Sequence, residues 1–187
     1  MKYAAYIALG SNVGNKFQNL KNAVCMLSEK GLDIVLKSDV YRTAPYGHVQ
    51  QDDFLNAVIG VVTDMSPLLL LNLLKECETE LGREKGERWG PRTIDLDIIL
   101  FGEEVVISEK LKIPHEDFRN RDFVLKPLYD IGKMMTDPIT GKTVRELYEE
   151  LEKDSCVKIN GKWQQYPVMA LRPYTSLMYR KNPSLVS

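Results

Sequence analysis

Two aspartates separated by one residue, Asp95 and Asp97 in the run T-I-D-L-D-I-I-L-F, are the residues of this chain best suited to chemistry. After Pro91 the run alternates like a strand. Thr93, Asp95, Asp97, Ile99 and Phe101 are expected on one face, and Ile94, Leu96, Ile98 and Leu100 on the other. Two carboxylates that point the same way repel unless a positive charge sits between them, and ionised aspartate is a hard oxygen ligand suited to Mg2+. Just upstream, Arg83, Lys85, Arg88 and Arg92 supply four cations within ten residues, among Gly86, Gly90 and Pro91, which mark a loop. Metal-binding carboxylates beside a guanidinium-rich loop suit a polyphosphate. A D-x-D taken alone is more often a solvated edge face. Here Ile98 to Leu100 is too apolar for an exposed edge, and the basic loop would be an odd choice for a solvated turn.

The flanking elements must hold that strand in place. Tyr3 to Leu9 is apolar on both faces, as in a central strand, and runs into the turn Gly10-Ser11-Asn12. Phe17, Leu20, Val24 and Leu27 repeat at helical spacing until Gly31. Ile34 to Tyr41 reads as a second strand, Arg42 to Asp53 as a polar loop, and Asp53 to Asp64 as a third strand with Phe54, Asn56 and Val58 on one face. An aromatic ring beside an amide suits a flat heterocycle, although a bare Phe is more often core. Ser66-Pro67 opens a second helix with Leu70, Leu74, Cys77 and Leu81 on its buried stripe, ending near Gly82. Glu103 to Ile107 reads as a hairpin return. Lys110, Lys112, His115, Arg119 and Arg121 form a second basic cluster, and Thr143 to Leu151 a final amphipathic helix.

The chain has 187 residues, of which 44% are hydrophobic and 27% charged, enough for one domain with a sizeable core. A net charge of -1 argues against bulk nucleic-acid binding. The start M-K-Y-A-A-Y-I-A-L-G is too short and strand-like for a signal peptide or a membrane span, so a cytoplasmic protein is expected. Cys25, Cys77 and Cys156 lack metal-type spacing and are expected to be reduced structural thiols. From Val157 onward there are five basic residues and no acidic one, which leaves 20 basic against 26 acidic residues in the body.

The run R-W-G-P-R-T-I-D-L-D-I-I-L-F resembles the signature of the 6-hydroxymethyl-7,8-dihydropterin pyrophosphokinase family. The segments I-A-L-G-S-N at 7 to 12, Y-R-T-A-P-Y-G at 41 to 47, D-F-L-N-A at 53 to 57, I-P-H at 113 to 115 and R-D-F-V-L-K-P-L at 121 to 128 match it in order. The resemblance covers residues 1 to 156 as a pyrophosphokinase domain and leaves 157 to 187 as an extension. It implies an α+β fold, a ferredoxin-like antiparallel sheet with helices packed on its faces. It also implies ATP and 6-hydroxymethyl-7,8-dihydropterin as substrates, two Mg2+ ions held by Asp95 and Asp97, and a monomer or weak homo-oligomer without nucleic-acid or membrane partners. Thr43, Pro45, Tyr46, Phe54 and Asn56 would line the pterin pocket, with Phe123 as the second stacking ring. Arg83 and Arg92 would stabilise developing charge, and His115 and Arg121 would hold the terminal phosphates. Trp89 would help the loop close. Glu78, Arg88, Ile98, Lys110 and Lys112 complete the implied nucleotide site, the pattern at Lys110, Lys112 and Glu116 being looser.

Two other classes compete. Nucleotidyltransferases of the polymerase β type also combine Gly-Ser with D-x-D, but close together on one hairpin, whereas here most of the domain separates Gly10-Ser11 from Asp95. A non-catalytic sensor would need the pockets but has no use for both aspartates and the basic loop.

Overall fold

The computed structural model describes residues 2–45, 51–83, 90–152 and 154–159. The strand Tyr3–Ser11 (β1) lies near the middle of a sheet that is antiparallel throughout. Its neighbours are Phe54–Thr63 (β4) on one side and Asp95–Phe101 (β5) on the other. Beyond β4 come Asp33–Lys37 (β2) and Tyr41–Thr43 (β3), and β3 in turn pairs with Val157–Lys158 (β8). A separate ribbon joins Val106–Ile107 (β6) to Lys112–Ile113 (β7), so the return expected at Glu103 to Ile107 pairs with the strand after it and not with β5.

Strand alternation divides the core in two. Ala5, Ile7 and Leu9 face the helices Lys16–Glu29 (α1) and Pro67–Glu80 (α2), whose buried residues include Leu20, Val24 and Leu27, and Leu70, Leu74 and Cys77. Ala4 and Tyr6 face Asp122–Gly132 (α3) and Val144–Glu149 (α4). Both long helices start at side-chain caps. Asn15 accepts the Gln18 amide, and Ser66, followed by Pro67, accepts the Leu69 amide. Cys25, Cys77 and Cys156 are free thiols, and burial pushes Cys77 up to about 11. Among the described residues, no helix is long and apolar enough to cross a membrane.

Four sequence expectations change here. Gly10 and Ser11, expected in a turn, extend β1 and pair with Asn56 and Leu55. The single strand at 34 to 41 is two strands, because Ser38 breaks the ladder. Its hydroxyl accepts the Val58 amide at 2.9 Å while its own amide donates to the Val58 carbonyl. Helix α3 is masked in the sequence because Pro127 lies inside it and looks like a breaker, yet Val124, Leu125, Leu128 and Ile131 give it a buried stripe. The strict alternation from Thr93 to Phe101 fails at a bulge. Ile7 pairs with Ile98 but Tyr6 pairs with Leu100, so Ile99 is the extra residue. Leu100 therefore joins Ile99 on the α3 face, and Phe101 turns to the α1 and α2 face.

The segment that follows β7 is clamped by one ion pair. Asp137, fully buried, accepts Arg119 Nε at 2.7 Å and Nη2 at 2.8 Å, together with the Thr140 hydroxyl and the Ile139 amide. Removing one partner leaves the other charge uncompensated. Asp137→Ala is expected to lower unfolding stability by about 3 kcal/mol, measured by urea titration.

Candidate active site

Helices α3 and α4 cover only part of their sheet face. The remainder is a cavity of about 260 Å³ walled by Ala8 and Gly10 of β1, Phe54 and Asn56 of β4, Asp95, Asp97 and Ile99 of β5, and Thr43 of β3. Arg92, His115, Arg121, Phe123 and Val124 close its other sides. Gly10 pairs with Asn56 on one neighbouring strand and with Asp95 on the other. A Cβ at Gly10 would lie 3.2 Å from Asn56 Oδ1, 3.8 Å from Phe54 Cδ1 and 4.0 Å from Asp95 Cβ. Glycine keeps the cavity floor open.

At one end, Asn56 Nδ2 donates to Thr43 Oγ1 at 2.8 Å, with both residues buried. This fixes the amide orientation and turns Asn56 Oδ1 toward Gly10. Phe54 and Phe123 line the same cavity from the sheet and from α3, so two rings and one oriented amide share one space.

At the other end is the charge cluster. Arg83 Nη1 lies 2.7 Å from Asp95 Oδ1, and Arg92 Nη1 lies 3.1 Å from Asp95 Oδ2. Lys75 Nζ is 3.7 Å from Asp97 Oδ1. Glu78 sits behind the strand, 4% exposed, and binds Lys75 at 2.8 Å through Oε1 and Arg83 through Oε2. Glu78 Oε1 also accepts the Leu96 amide at 2.7 Å, and Lys75 donates to the Leu96 carbonyl at 3.0 Å. Burial raises the Glu78 carboxyl's pKa, against the pull of Lys75, the Leu96 amide and Arg83. Asp95 and Asp97 fit a divalent cation. They lie on one face two residues apart, they line the cavity, and the Asp95 carboxylate already draws two cations onto its two oxygens.

Asn12 was read only as part of a turn, yet it ties the site together. Its main chain donates to the Arg92 carbonyl at 3.1 Å, its Oδ1 accepts the Arg92 amide at 2.7 Å, and its Nδ2 donates to Gln51 Oε1 at 3.0 Å. The signal available in the sequence was a polar residue ending an otherwise apolar central strand. Lys75 was also missed, although its i, i+3 spacing to Glu78 on a helix was readable.

The structure places the other implied residues differently. Glu78 and Arg83 act at the carboxylates from behind β5 and do not line the cavity. The Ile98 side chain is buried among the α1 and α2 residues, so it has no side-chain role on the carboxylate face. Its main chain is another matter. Alternate residues of a strand turn their main-chain groups to the same edge, and Leu96 turns its own to the free edge of β5. Lys112 is exposed and pairs with Glu116 at 2.8 Å, and Lys110 is exposed. Pro45 is half-buried but does not line the cavity. Tyr46, Arg88 and Trp89 lie outside the described residues.

His115 is held by its neighbours. Its amide donates to the Ile99 carbonyl at 3.0 Å, and its Nδ1 accepts the Asp117 amide at 3.3 Å, which leaves Nε2 as the protonated nitrogen of the neutral ring. Burial lowers its pKa, as does Arg121, while Asp97 and Asp117 oppose the shift. A His whose folded pKa lies below the unfolded 6.5 costs stability as the pH falls through 6.5, because the unfolded chain takes up the proton first. Wild-type protein is therefore expected to lose more stability between pH 7.5 and 5.5 than His115→Gln, compared by urea unfolding at both values.

The family model for 7,8-dihydro-6-hydroxymethylpterin-pyrophosphokinase (HPPK) matches residues 6–133. The 2-amino-4-hydroxy-6-hydroxymethyldihydropteridine pyrophosphokinase of Haemophilus influenzae is 40% identical over 157 residues, covering 83% of this chain and 98% of that protein. The Bacillus subtilis protein of the same name is 45% identical over 141 residues, covering 75% and 84%. Among solved structures, a Plasmodium falciparum HPPK-DHPS variant with pterin and p-hydroxybenzoate superposes with a TM-score of 0.64 at 18% identity, covering 80% of this chain and 43% of that one. That likeness speaks for the fold.

Proposed function

This chain belongs to the 7,8-dihydro-6-hydroxymethylpterin-pyrophosphokinase family, and on that premise we propose how its cavity performs the family's reaction. The enzyme transfers a diphosphoryl group from ATP to the hydroxymethyl oxygen of 6-hydroxymethyl-7,8-dihydropterin, a step of folate synthesis, and AMP leaves. The single observation that carries the assignment of its residues is that one cavity joins an amide flanked by two aromatic rings to a pair of carboxylates ringed by guanidinium groups.

The pterin lies between Phe54 and Phe123, and its amide-like edge meets Asn56, whose orientation Thr43 sets. That pose directs the hydroxymethyl group along the floor at Gly10 toward Asp95 and Asp97. Asp95 and Asp97 would hold Mg2+, which when bound neutralises phosphate charge and lowers the barrier to displacement at phosphorus. Arg92, which lines the cavity beside Asp95, meets the charge that develops on the transferred group and on the departing AMP oxygen, and Arg83 acts through Asp95 from behind. Arg121 and His115 hold the terminal phosphates from the opposite wall, His115 donating through Nε2. The adenine ring reaches the outer edge of β5 at Ile98, between the contacts that Lys75 and Glu78 make to Leu96 and that His115 makes to Ile99. Sheet order supports a finer description of the fold. Strands β5-β1-β4-β2 run antiparallel, and each of α1 and α2 links strands that flank a third, the arrangement of a ferredoxin-like sheet. We assign catalysis to residues 1–156 and leave 157–187 as an extension whose first residues pair with β3.

With ATP and the dihydropterin, the nucleotide product is expected to be AMP and no ADP, read by phosphorus NMR. ADP would mean attack at the γ-phosphorus, and pyrophosphate with an adenylylated product would mean attack at the α-phosphorus; either overturns the reading.

Arg92→Ala is expected to slow the single-turnover rate by about 10²- to 10³-fold. Phe54→Ala and Phe123→Ala are expected to weaken pterin binding by about tenfold with a smaller loss in rate, since stacking is present in ground and transition states alike. Pterin affinities and single-turnover rates measured together would expose an exchange of the two pockets.

A further inference from the structure

We propose that Lys75, with Arg83 and Arg92, forms a built-in counter-ion set for Asp95 and Asp97, so that these carboxylates accept a divalent cation readily only when a polyphosphate takes over the displaced cations. The proposal rests on the reading of Asp95 and Asp97 as the metal holders.

Both oxygens of Asp95 are engaged, Oδ1 by Arg83 at 2.7 Å and Oδ2 by Arg92 at 3.1 Å. The carboxylate is only 26% exposed, so water is a poor substitute for either guanidinium. Asp97 is looser, with Lys75 3.7 Å from Oδ1 and the carboxylate 37% exposed. A divalent cation arriving alone must therefore push positive groups away from the ligands it needs, and the displaced groups remain beside it as like charges. A triphosphate arriving with it changes the balance, because its oxygens suit the guanidinium fork as a carboxylate does and bring the negative charge that the displaced groups need.

Glu78 lets this exchange happen without a large rearrangement. Lys75 binds its Oε1 and Arg83 its Oε2, so both cations keep one carboxylate partner when they let go of Asp97 and Asp95. Lys75 also keeps the Leu96 carbonyl at 3.0 Å, which anchors its head group at the edge of β5 whichever way it leans. Lys75 is thus a positioning residue of the site, one whose charge sets the order in which the other charges are satisfied.

The test uses the full chain with Mn2+ as the probe, read by electron paramagnetic resonance with and without an α,β-methylene ATP analogue. Lys75→Gln is expected to bind free Mn2+ about two- to fivefold more tightly than wild type. Arg92→Gln is expected to do so by on the order of tenfold, its contact being shorter and charge-assisted on both sides. In both variants the strengthening of Mn2+ binding by the analogue should shrink. A merely loosened site would weaken Mn2+ binding under both conditions. If free Mn2+ affinity in Lys75→Gln and Arg92→Gln is equal to or below that of wild type, with circular dichroism unchanged, the counter-ion assignment is overturned. Asp95→Asn and Asp97→Asn separate that failure from a deeper one. Mn2+ binding with the analogue that survives both of these substitutions overturns the metal reading itself.

Discussion

The position of Gly10 is the constraint on which the rest of the site depends. As part of the central strand it is paired on one side with Asn56 and on the other with Asp95, and the space a side chain would fill is already within 3.2 Å of the Asn56 side-chain oxygen Oδ1. The Asn56 amide and the Asp95 carboxylate are therefore neighbours across a single residue without a Cβ. Their separation is set by sheet geometry, since β4 and β5 flank β1 and adjacent strands lie about 4.8 Å apart.

The same face shows why an open cavity and a stable sheet can coexist. On the α1 and α2 side the core runs along the strands from Ala5 to Leu9, with Leu20, Leu27, Leu70 and Leu74 sealed beneath. On the other side α3 and α4 seal Ala4, Tyr6, Val58 and Val62, while Ala8, partly buried against that core, and Gly10 line the cavity. Strand β1 needs both faces buried at one end and only one at the other. The bulge at Ile99 marks the changeover on β5, keeping Asp95 and Asp97 on the open face while Leu100 still reaches the α3 core.

Charge is concentrated where the cavity is open. Lys75, Glu78, Arg83, Arg92, Asp95 and Asp97 form one continuous chain of contacts that passes behind and in front of β5. Half-buried charges at these distances interact far more strongly than surface pairs, so the cluster has a definite internal order that any ligand must work against or complete.

Much of this was determined by the sequence itself. The alternation around Asp95 and Asp97 placed two carboxylates on one face, the helical stripes of α1 and α2 were legible from Leu20, Val24, Leu70 and Leu74, and the pairing of Phe54 with Asn56 on one face followed from strand periodicity alone. These are local properties, set by 2-residue and 3.6-residue repeats. What the tertiary structure decided was everything that depends on register or on long-range contact. Gly10 and Asp95, separated by most of the domain in sequence, stand opposite each other, so their distance along the chain excluded a shared hairpin but not a shared site. The bulge at Ile99 arose from pairing with β1 and could not be seen in β5. Helix α3 formed through Pro127 because its apolar stripe packs on β4, which overrides the local penalty. Arg83, Glu78 and Lys75 were readable as charges, but which opposite charge each one holds depends on where the end of one helix meets the start of a strand twelve or more residues later, and only packing fixes that.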